Sequence, residues 1–165
     1  MIKIFEKIIP RMACQQIIQE GRTRPQIDAG IGKDNIKSKG RSTKVAFINN
    51  AFTKSYIHGL VAHNFKDYTI EEAEDLQFAI YKKGDFYGLH KDADKENNRV
   101  LSVTVQLSKA SEYDGGDLVF DYDRHPMPTA QGTVIIFPSN LYHEVTPVTR
   151  GRRYSLVQWF KGKEK

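Results

Sequence analysis

The sequence predicts a mainly β domain with helices confined to its N-terminal third, the strands folding as a double-sheet sandwich or jelly roll. Three observations carry this expectation. From residue 76 to residue 160 the chain breaks into short runs rich in Val, Ile, Leu, Tyr and Phe, the residues that suit a pleated, half-buried surface. Turn signals separate the runs: Lys83-Gly-Asp, Asp114-Gly-Gly-Asp, Gln131-Gly and Arg150-Gly. Helical spacing of apolar residues occurs only before residue 66. A chain of 165 residues has the length of one domain and can bury a core without staples. No repeat or second domain is visible, so residues 1–165 are expected to form a single domain, with 1–75 as helical support and loop and 76–160 as the jelly-roll core.

Taken in order, residues 1–20 mix apolar and polar positions. Pro10 suits a helix start, and Met12, Ala13, Ile17 and Ile18 would form one side of a short helix. Residues 21–42 are rich in Gly, Lys, Arg, Asp and Ser without periodicity, which reads as a long loop. Loops of that length in a compact domain are usually functional or disordered. Residues 43–48 read as a strand, and 52–65 as an amphipathic helix capped near Thr53. The acidic stretch 67–75 reads as a turn or a short helix. Strands are then expected at 76–81, 99–107, 117–122, 133–137, 142–145 and 154–160. The Gly115-Gly116 pair reads as a turn that needs positive φ. It is not a phosphate loop, since no helix start with Lys-Ser/Thr follows it.

Composition sets limits. Hydrophobic residues make up 39% and charged residues 27%, the balance of a soluble globular protein, and no apolar run reaches bilayer length. The start Met-Ile-Lys-Ile-Phe-Glu has no extended apolar core or cleavage site, so no secretory signal is expected. The single cysteine, Cys14, cannot form an internal disulfide. A reducing, cytoplasmic compartment is the simplest expectation. Net charge is +5 with a pI near 9.2. Much of the excess lies in 31–44 and in the tail 161–165, which reads as solvated surface rather than a nucleic-acid footprint.

Two stretches carry chemistry: Tyr81-Lys-Lys-Gly-Asp-Phe-Tyr-Gly-Leu-His90-Lys-Asp92, and His143-Glu-Val-Thr-Pro-Val-Thr-Arg-Gly-Arg-Arg153-Tyr-Ser-Leu-Val-Gln-Trp159. On a strand, a spacing of two points His90 and Asp92 to one face. The alternative His90-x-x-x-Asp94 lacks that property. Two histidines and one carboxylate with open positions opposite form the facial set of non-haem Fe(II) oxygenases, and a jelly roll can bring His143 to the same mouth. Alone, His-x-Asp is a weak signal. Here it sits in an ordered series with Tyr81-x-x-Gly84, Gly115-Gly116-Asp-Leu, Phe137-Pro138, His143-Glu-Val-x-Pro-Val and Gly151-x-Arg153-x-x-x-x-x-Trp159.

With that series, residues 76–160 resemble the prolyl-4-hydroxylase-like 2-oxoglutarate/Fe(II)-dependent dioxygenases, in particular the small PKHD-type hydroxylases. Residues 1–42 carry none of the resemblance. It implies a double-stranded β-helix (a cupin-like jelly roll) with His90, Asp92 and His143 on iron and Arg153 on the distal carboxylate of 2-oxoglutarate. A planar guanidinium offering two parallel donors suits that carboxylate. By the same resemblance Tyr81 reaches the cosubstrate and Trp159 lines the pocket. Gln106 stands where relatives place a second tyrosine against the cosubstrate, and Val157 where some have a threonine; both departures bear on cosubstrate contacts, not on iron. Tyr87 reads as either a core aromatic or a wall of the substrate site.

The implied cofactors are Fe(II), 2-oxoglutarate and O2, with ascorbate left open. The implied reaction is hydroxylation, with a peptidyl proline in a protein or peptide as the favoured substrate and succinate and CO2 as products. Two rivals stand beside it. The related nucleic-acid demethylases carry a second arginine six residues after the first, where this chain has Trp159. A non-catalytic cupin-like metal-binding module would not need Arg153. His58, His63 and His125 read as surface or helix residues, and Arg150 and Arg152 as solvent-facing.

Overall fold

The computed structural model describes residues 1–29 and 40–165. In chain order the elements are β1 (Lys3–Phe5), α1 (Arg11–Thr23), β2 (Ile27–Asp28), β3 (Arg41–Ser42), β4 (Lys44–Ile48), α2 (Ala51–Asn64), β5 (Tyr68–Ala73), β6 (Leu76–Tyr81) and β7 (Phe86–His90). They continue with β8 (Arg99–Gln106), β9 (Tyr113–Gly115), β10 (Leu118–Phe120), β11 (Val134–Pro138), β12 (His143–Val145), β13 (Val148–Gly151) and β14 (Arg153–Glu164). A major sheet runs β1-β11-β8-β14-β6-β4-β2, with β5 added to the far end of β14. A minor sheet runs β10-β12-β7-β3, and β13 pairs with β9. All strand pairs are antiparallel. The result is the expected jelly roll, with the two helices on one side of the major sheet.

The major sheet is covered on both faces, which explains why β6 is buried at every position. Leu76, Phe78 and Ile80 join Cys14, Ile17, Ile57 and Val61 in one apolar cluster under the helices. Ala79 and Tyr81 pack on the other side with Phe120, Phe137 and Val145. Gly21 lies so close to Phe78 that an added Cβ would sit 2.3 Å from its ring. The helix crosses the sheet there because no side chain intervenes.

Several expectations are corrected. The buried line of α1 is Cys14, Ile17 and Gly21, spaced i, i+3, i+7, whereas Met12 is exposed. Helix α1 also runs on to Thr23, and β2 and β3 fall inside the stretch expected to be loop; residues 30–39 of that stretch lie outside the described residues. The cap of α2 is Asn50, whose side chain accepts from the backbone N–H of Thr53; Thr53 is itself a buried residue of the first turn. The acidic stretch is strand β5, held to β14 with Glu72 opposite Lys161 and ion-paired to it at 3.1 Å. The basic tail is therefore mostly strand. Strands β1, β9 and β13 were not foreseen; each is four residues or fewer, too short to show a period. Gly115 and Gly116 do have positive φ, at +68° and +62°. No helix among the described residues is long and apolar enough to cross a membrane.

Candidate metal and cosubstrate site

His90 closes β7 and lies opposite His143 in the antiparallel pairing with β12. Both imidazoles are oriented through their Nδ1 atoms, His90 to the carbonyl of Gly88 at 2.7 Å and His143 to that of Leu141 at 2.9 Å. A carbonyl only accepts, so each Nδ1 carries the proton and each Nε2 keeps its lone pair. This is the arrangement of metal-binding histidines. The rings are packed as well: Tyr87 stacks on His90 at 3.5 Å with 10° between planes, and Phe137 meets His143 edge-on at 4.8 Å.

Asp92 joins them by a route different from the one expected. It is not on the strand but in the loop beyond it, so strand alternation does not place it. Instead the carbonyl of Ser139 accepts from the backbone N–H groups of both Asp92 and Ala93, each at 2.9 Å. Ser102 then donates to Asp92 Oδ2 at 2.6 Å and shares a 2.9 Å hydrogen bond with Ser139. The ligand atoms of His90, Asp92 and His143 all lie within 4.8 Å of one another.

Burial works against ionisation of Asp92, but the His90 hydrogen bond, the nearby imidazoles and the Ser102 hydroxyl outweigh it and hold the carboxyl well below the usual carboxylate range. Burial pushes His143 below an ordinary histidine, against the pull of Asp92. Both directions favour the forms that bind a divalent cation at neutral pH, an ionised carboxylate and a neutral imidazole. The donor set therefore fits Fe(II).

Arg153 opens β14 opposite Tyr81 on β6 and is buried. Its Nε and Nη2 both donate to Gln106 Oε1, at 3.1 and 2.7 Å, and Gln106 Nε2 donates to the hydroxyl of Tyr113 at 2.6 Å. The Tyr81 ring lies 5.1 Å from the guanidinium. Arg153 Nη1 is buried with no hydrogen-bond partner among the described residues. An orphaned cationic donor is costly, and a carboxylate from outside would satisfy it. Trp159 is held from behind by Arg99, whose guanidinium lies 3.9 Å from the indole and is fixed by Glu74 through two 2.7 Å hydrogen bonds. One cavity between the sheets, about 490 Å³ counted out to its mouth, is lined by His90, Asp92, His143, Arg153, Tyr81 and Trp159 among others.

With this geometry in view, comparison with known proteins is decisive. The sequence profile of the 2OG-Fe(II) oxygenase superfamily matches residues 76–161. The chain belongs to that superfamily. A PKHD-type hydroxylase of Prochlorococcus marinus is 32% identical over 153 residues, covering 89% of this chain and 67% of that protein. One of Shewanella oneidensis is 36% identical over 92 residues, covering 51% and 41%. The chain thus spans about two fifths to two thirds of the length of these curated relatives. A Trichoplax adhaerens prolyl hydroxylase, solved in complex with a peptide fragment of the hypoxia inducible factor oxygen degradation domain, superposes with TM-score 0.85 at 17% identity, over 98% of this chain and 83% of that one. A Pseudomonas putida prolyl-4-hydroxylase gives 0.79 at 22%, over 98% and 92%. At such identities the structural likeness shows the fold.

Within this superfamily fold, the residues singled out from the sequence fall into two groups. His90, Asp92, His143, Arg153, Tyr81, Trp159 and Tyr87 line the common cavity, and half-buried Tyr87 also packs against the cleft-side apolar cluster. Gln106 is not on the wall; it stands behind Arg153 and reaches the cavity only through it. Asp94 turns away, its Oδ1 accepting from the backbone N–H groups of Glu96 and Asn97. His58, His63 and His125 are exposed, and exposed Arg150 pairs with Asp114. Ser102, Ser139, Tyr113 and Arg41 were missed. Arg41 lies 4.1 Å from the Tyr87 ring at the cavity. A signal for Ser102 was present: Ser102-Val-Thr104-Val-Gln106 puts a polar residue at every second position of a buried strand.

Proposed function

We propose that this chain is a 2-oxoglutarate- and O2-dependent hydroxylase acting at C4 of a peptidyl proline and releasing succinate and CO2. The observation that carries the reading is the convergence, in one cavity, of three metal-ligand atoms within 4.8 Å and an unpaired buried guanidinium nitrogen. His90 Nε2, His143 Nε2 and Asp92 would hold Fe(II), leaving the remaining positions to exogenous ligands. Bound together, iron and 2-oxoglutarate supply the oxidative decarboxylation that yields succinate and CO2 and activates O2 for insertion into a C–H bond.

The protein's part is binding, aim and exclusion. Asp92 offsets one of the two charges of the metal. Arg153 Nη1 anchors the distal carboxylate of the cosubstrate, with Tyr81 and Trp159 closing around it. Tyr87, fixed between β3 and His90, forms the wall against which substrate packs. The apolar part of the lining, Leu118, Phe137, Val145 and Val157, keeps water from the reaction. The kinship with PKHD-type hydroxylases and the prolyl hydroxylase fold support the substrate class. Residues 1–165 are read as one domain, 1–75 backing 76–160. A reducing, cytoplasmic setting suits Fe(II) and the free thiol of Cys14, and ascorbate belongs to the same reading as a soluble reductant that keeps the iron ferrous.

The test measures succinate formed from 2-oxoglutarate with Fe(II) and with Zn(II), alongside a peptide and protein-extract screen for a mass gain of one oxygen. Turnover with iron alone is expected, and Asp92→Ala and His143→Ala should abolish it; survival in either variant ends the reading. Arg153→Ala should raise the 2-oxoglutarate requirement by ~10–100-fold, the scale of a charged hydrogen-bonded pair, while sparing metal binding. Tyr87→Ala should leave uncoupled decarboxylation largely intact and impair hydroxylation.

A further inference from the structure

Arg153 is an unusual buried cation. It is only 2% exposed, yet no carboxylate among the described residues pairs with it. Its guanidinium contacts are the amide oxygen of Gln106 and the ring of Tyr81. Buried charges normally have a charged partner, so a neutral amide in that place has a consequence for whatever enters the cavity.

We propose that Gln106 is a positioning residue that makes the site selective for a 2-oxo acid with a distal carboxylate: it fixes Arg153 with a neutral oxygen, so the guanidinium keeps its full charge and turns Nη1 to the ligand. The inference rests on the reading of Arg153 as the cosubstrate anchor. Four features support it. A single oxygen, Gln106 Oε1, takes both hydrogens of the Nε–Nη2 edge, at 3.1 and 2.7 Å. That leaves Nη1, and the second hydrogen of Nη2, as the guanidinium's remaining donors. The amide is itself oriented, because Nε2 donates to the buried Tyr113 hydroxyl at 2.6 Å. The arginine stem passes close to the Gly116 backbone, where an added Cβ would lie 3.1 Å from Arg153 Cδ. Finally, Gln106 stands across the strand pair from Ser155, two residues from Arg153, so backbone pairing sets the distance between amide and guanidinium.

A carboxylate at position 106 would fit the same edge but with opposite consequence. It would form a charge-assisted, two-bond pair with Arg153, neutralise it, and set a negative charge behind the place where the ligand's carboxylate must sit. Gln106→Glu is therefore the informative change, and Gln106→Met removes the clamp while leaving the charge on Arg153.

The experiment is anaerobic titration calorimetry of the Mn(II)-loaded protein with 2-oxoglutarate and with 2-oxovalerate, the five-carbon 2-oxo acid that lacks the distal carboxylate. Manganese affinity is measured for every variant as the check on site integrity. The unsubstituted protein should prefer 2-oxoglutarate by ~10–100-fold, as expected for a hydrogen bond to a charged group. Gln106→Glu should reduce that preference to within about threefold, through weaker 2-oxoglutarate binding with 2-oxovalerate and Mn(II) affinities unchanged, and Gln106→Met should fall between. An unaltered preference in Gln106→Glu, or equal loss for both acids, overturns the proposal. If Gln106→Glu does not bind Mn(II), Gln106→Met decides: a preference equal to that of the unsubstituted protein overturns it. Absence of any preference in the unsubstituted protein would instead refute the role of Arg153 itself, a separately readable result.

Discussion

On the helix side of the major sheet, Phe78, Ile80, Val103, Val105, Leu156 and Phe160 form a buried apolar layer with α1 and α2. On the cleft side of the same three strands stand Gln77, Ser102, Thr104, Gln106, Arg153 and Ser155, all buried as well. Burying apolar surface is favourable at about 25 cal/mol per Å², whereas each buried polar group must be hydrogen-bonded merely to break even. The cleft side does not fully meet that condition, since Arg153 Nη1 and Trp159 Nε1 have no partner among the described residues. The contrast teaches that one face stores stability and the other spends some of it to hold groups ready for ligands. Gln158 is the exception on the helix side: its Nε2 donates to the carbonyl of Glu74, but its buried Oε1 lacks a partner among the described residues and nothing in the structure explains it.

The hardest test of that division is Phe78→Ala. Phe78 is fully buried, stacks with Tyr154 at 5.6 Å and fills the space against Gly21. Its truncation should cost about 3–5 kcal/mol, the usual range for a large core aromatic, measured by denaturant unfolding. The Mn(II) affinity of the folded protein should stay within a few-fold of the original. A collapse of metal binding in folded protein would show that the two faces are not separable.

This division also explains what could be read from the chain. The helix-side layer was legible because β6, β8 and β14 are rich in apolar and aromatic residues, with Leu76, Phe78 and Ile80, and Leu101, Val103 and Val105, at every second position. His90, His143 and Arg153 were legible because each stands at a strand end inside an ordered series of motifs. Asp92 was found by spacing, yet its position depends on the carbonyl of Ser139, 47 residues away, which no local pattern encodes. Gln106 was noticed only as a departure; that it grips Arg153 follows from strand pairing between β8 and β14. Strand β5 was misread because its acidic residues describe a solvated edge, and only the cross-strand lysine of β14 reveals the pairing.

A smaller effect, on the opposite face, is expected from Ser102→Ala. The hydroxyl donates to Asp92 and is linked to Ser139, so it orients the carboxylate that would hold the metal without itself touching the metal. Partners of this kind are worth about 10–100-fold in metal affinity. Titration with Mn(II) should show that loss, while the unfolding midpoint of the metal-free protein moves little. A large loss of metal-free stability with unchanged affinity would make Ser102 a packing residue and weaken the contrast between the faces.

The smallest effect sharpens the comparison from its outer edge. Asn50 caps α2, accepting the backbone N–H of Thr53 at 2.9 Å, and α2 supplies Ile57 and Val61 to the apolar layer. Asn50→Ala should cost about 1 kcal/mol, the typical worth of such a cap. Because the buried residues of α2 join the helix-side layer, that loss should appear in thermal unfolding of the metal-free protein and leave both Mn(II) and 2-oxoglutarate affinities unchanged. If cosubstrate affinity fell in step with stability, the strands would be transmitting strain from the helix layer to Arg153. The cleft's geometry would then depend on the tightness of the packing behind it, not on its own hydrogen bonds.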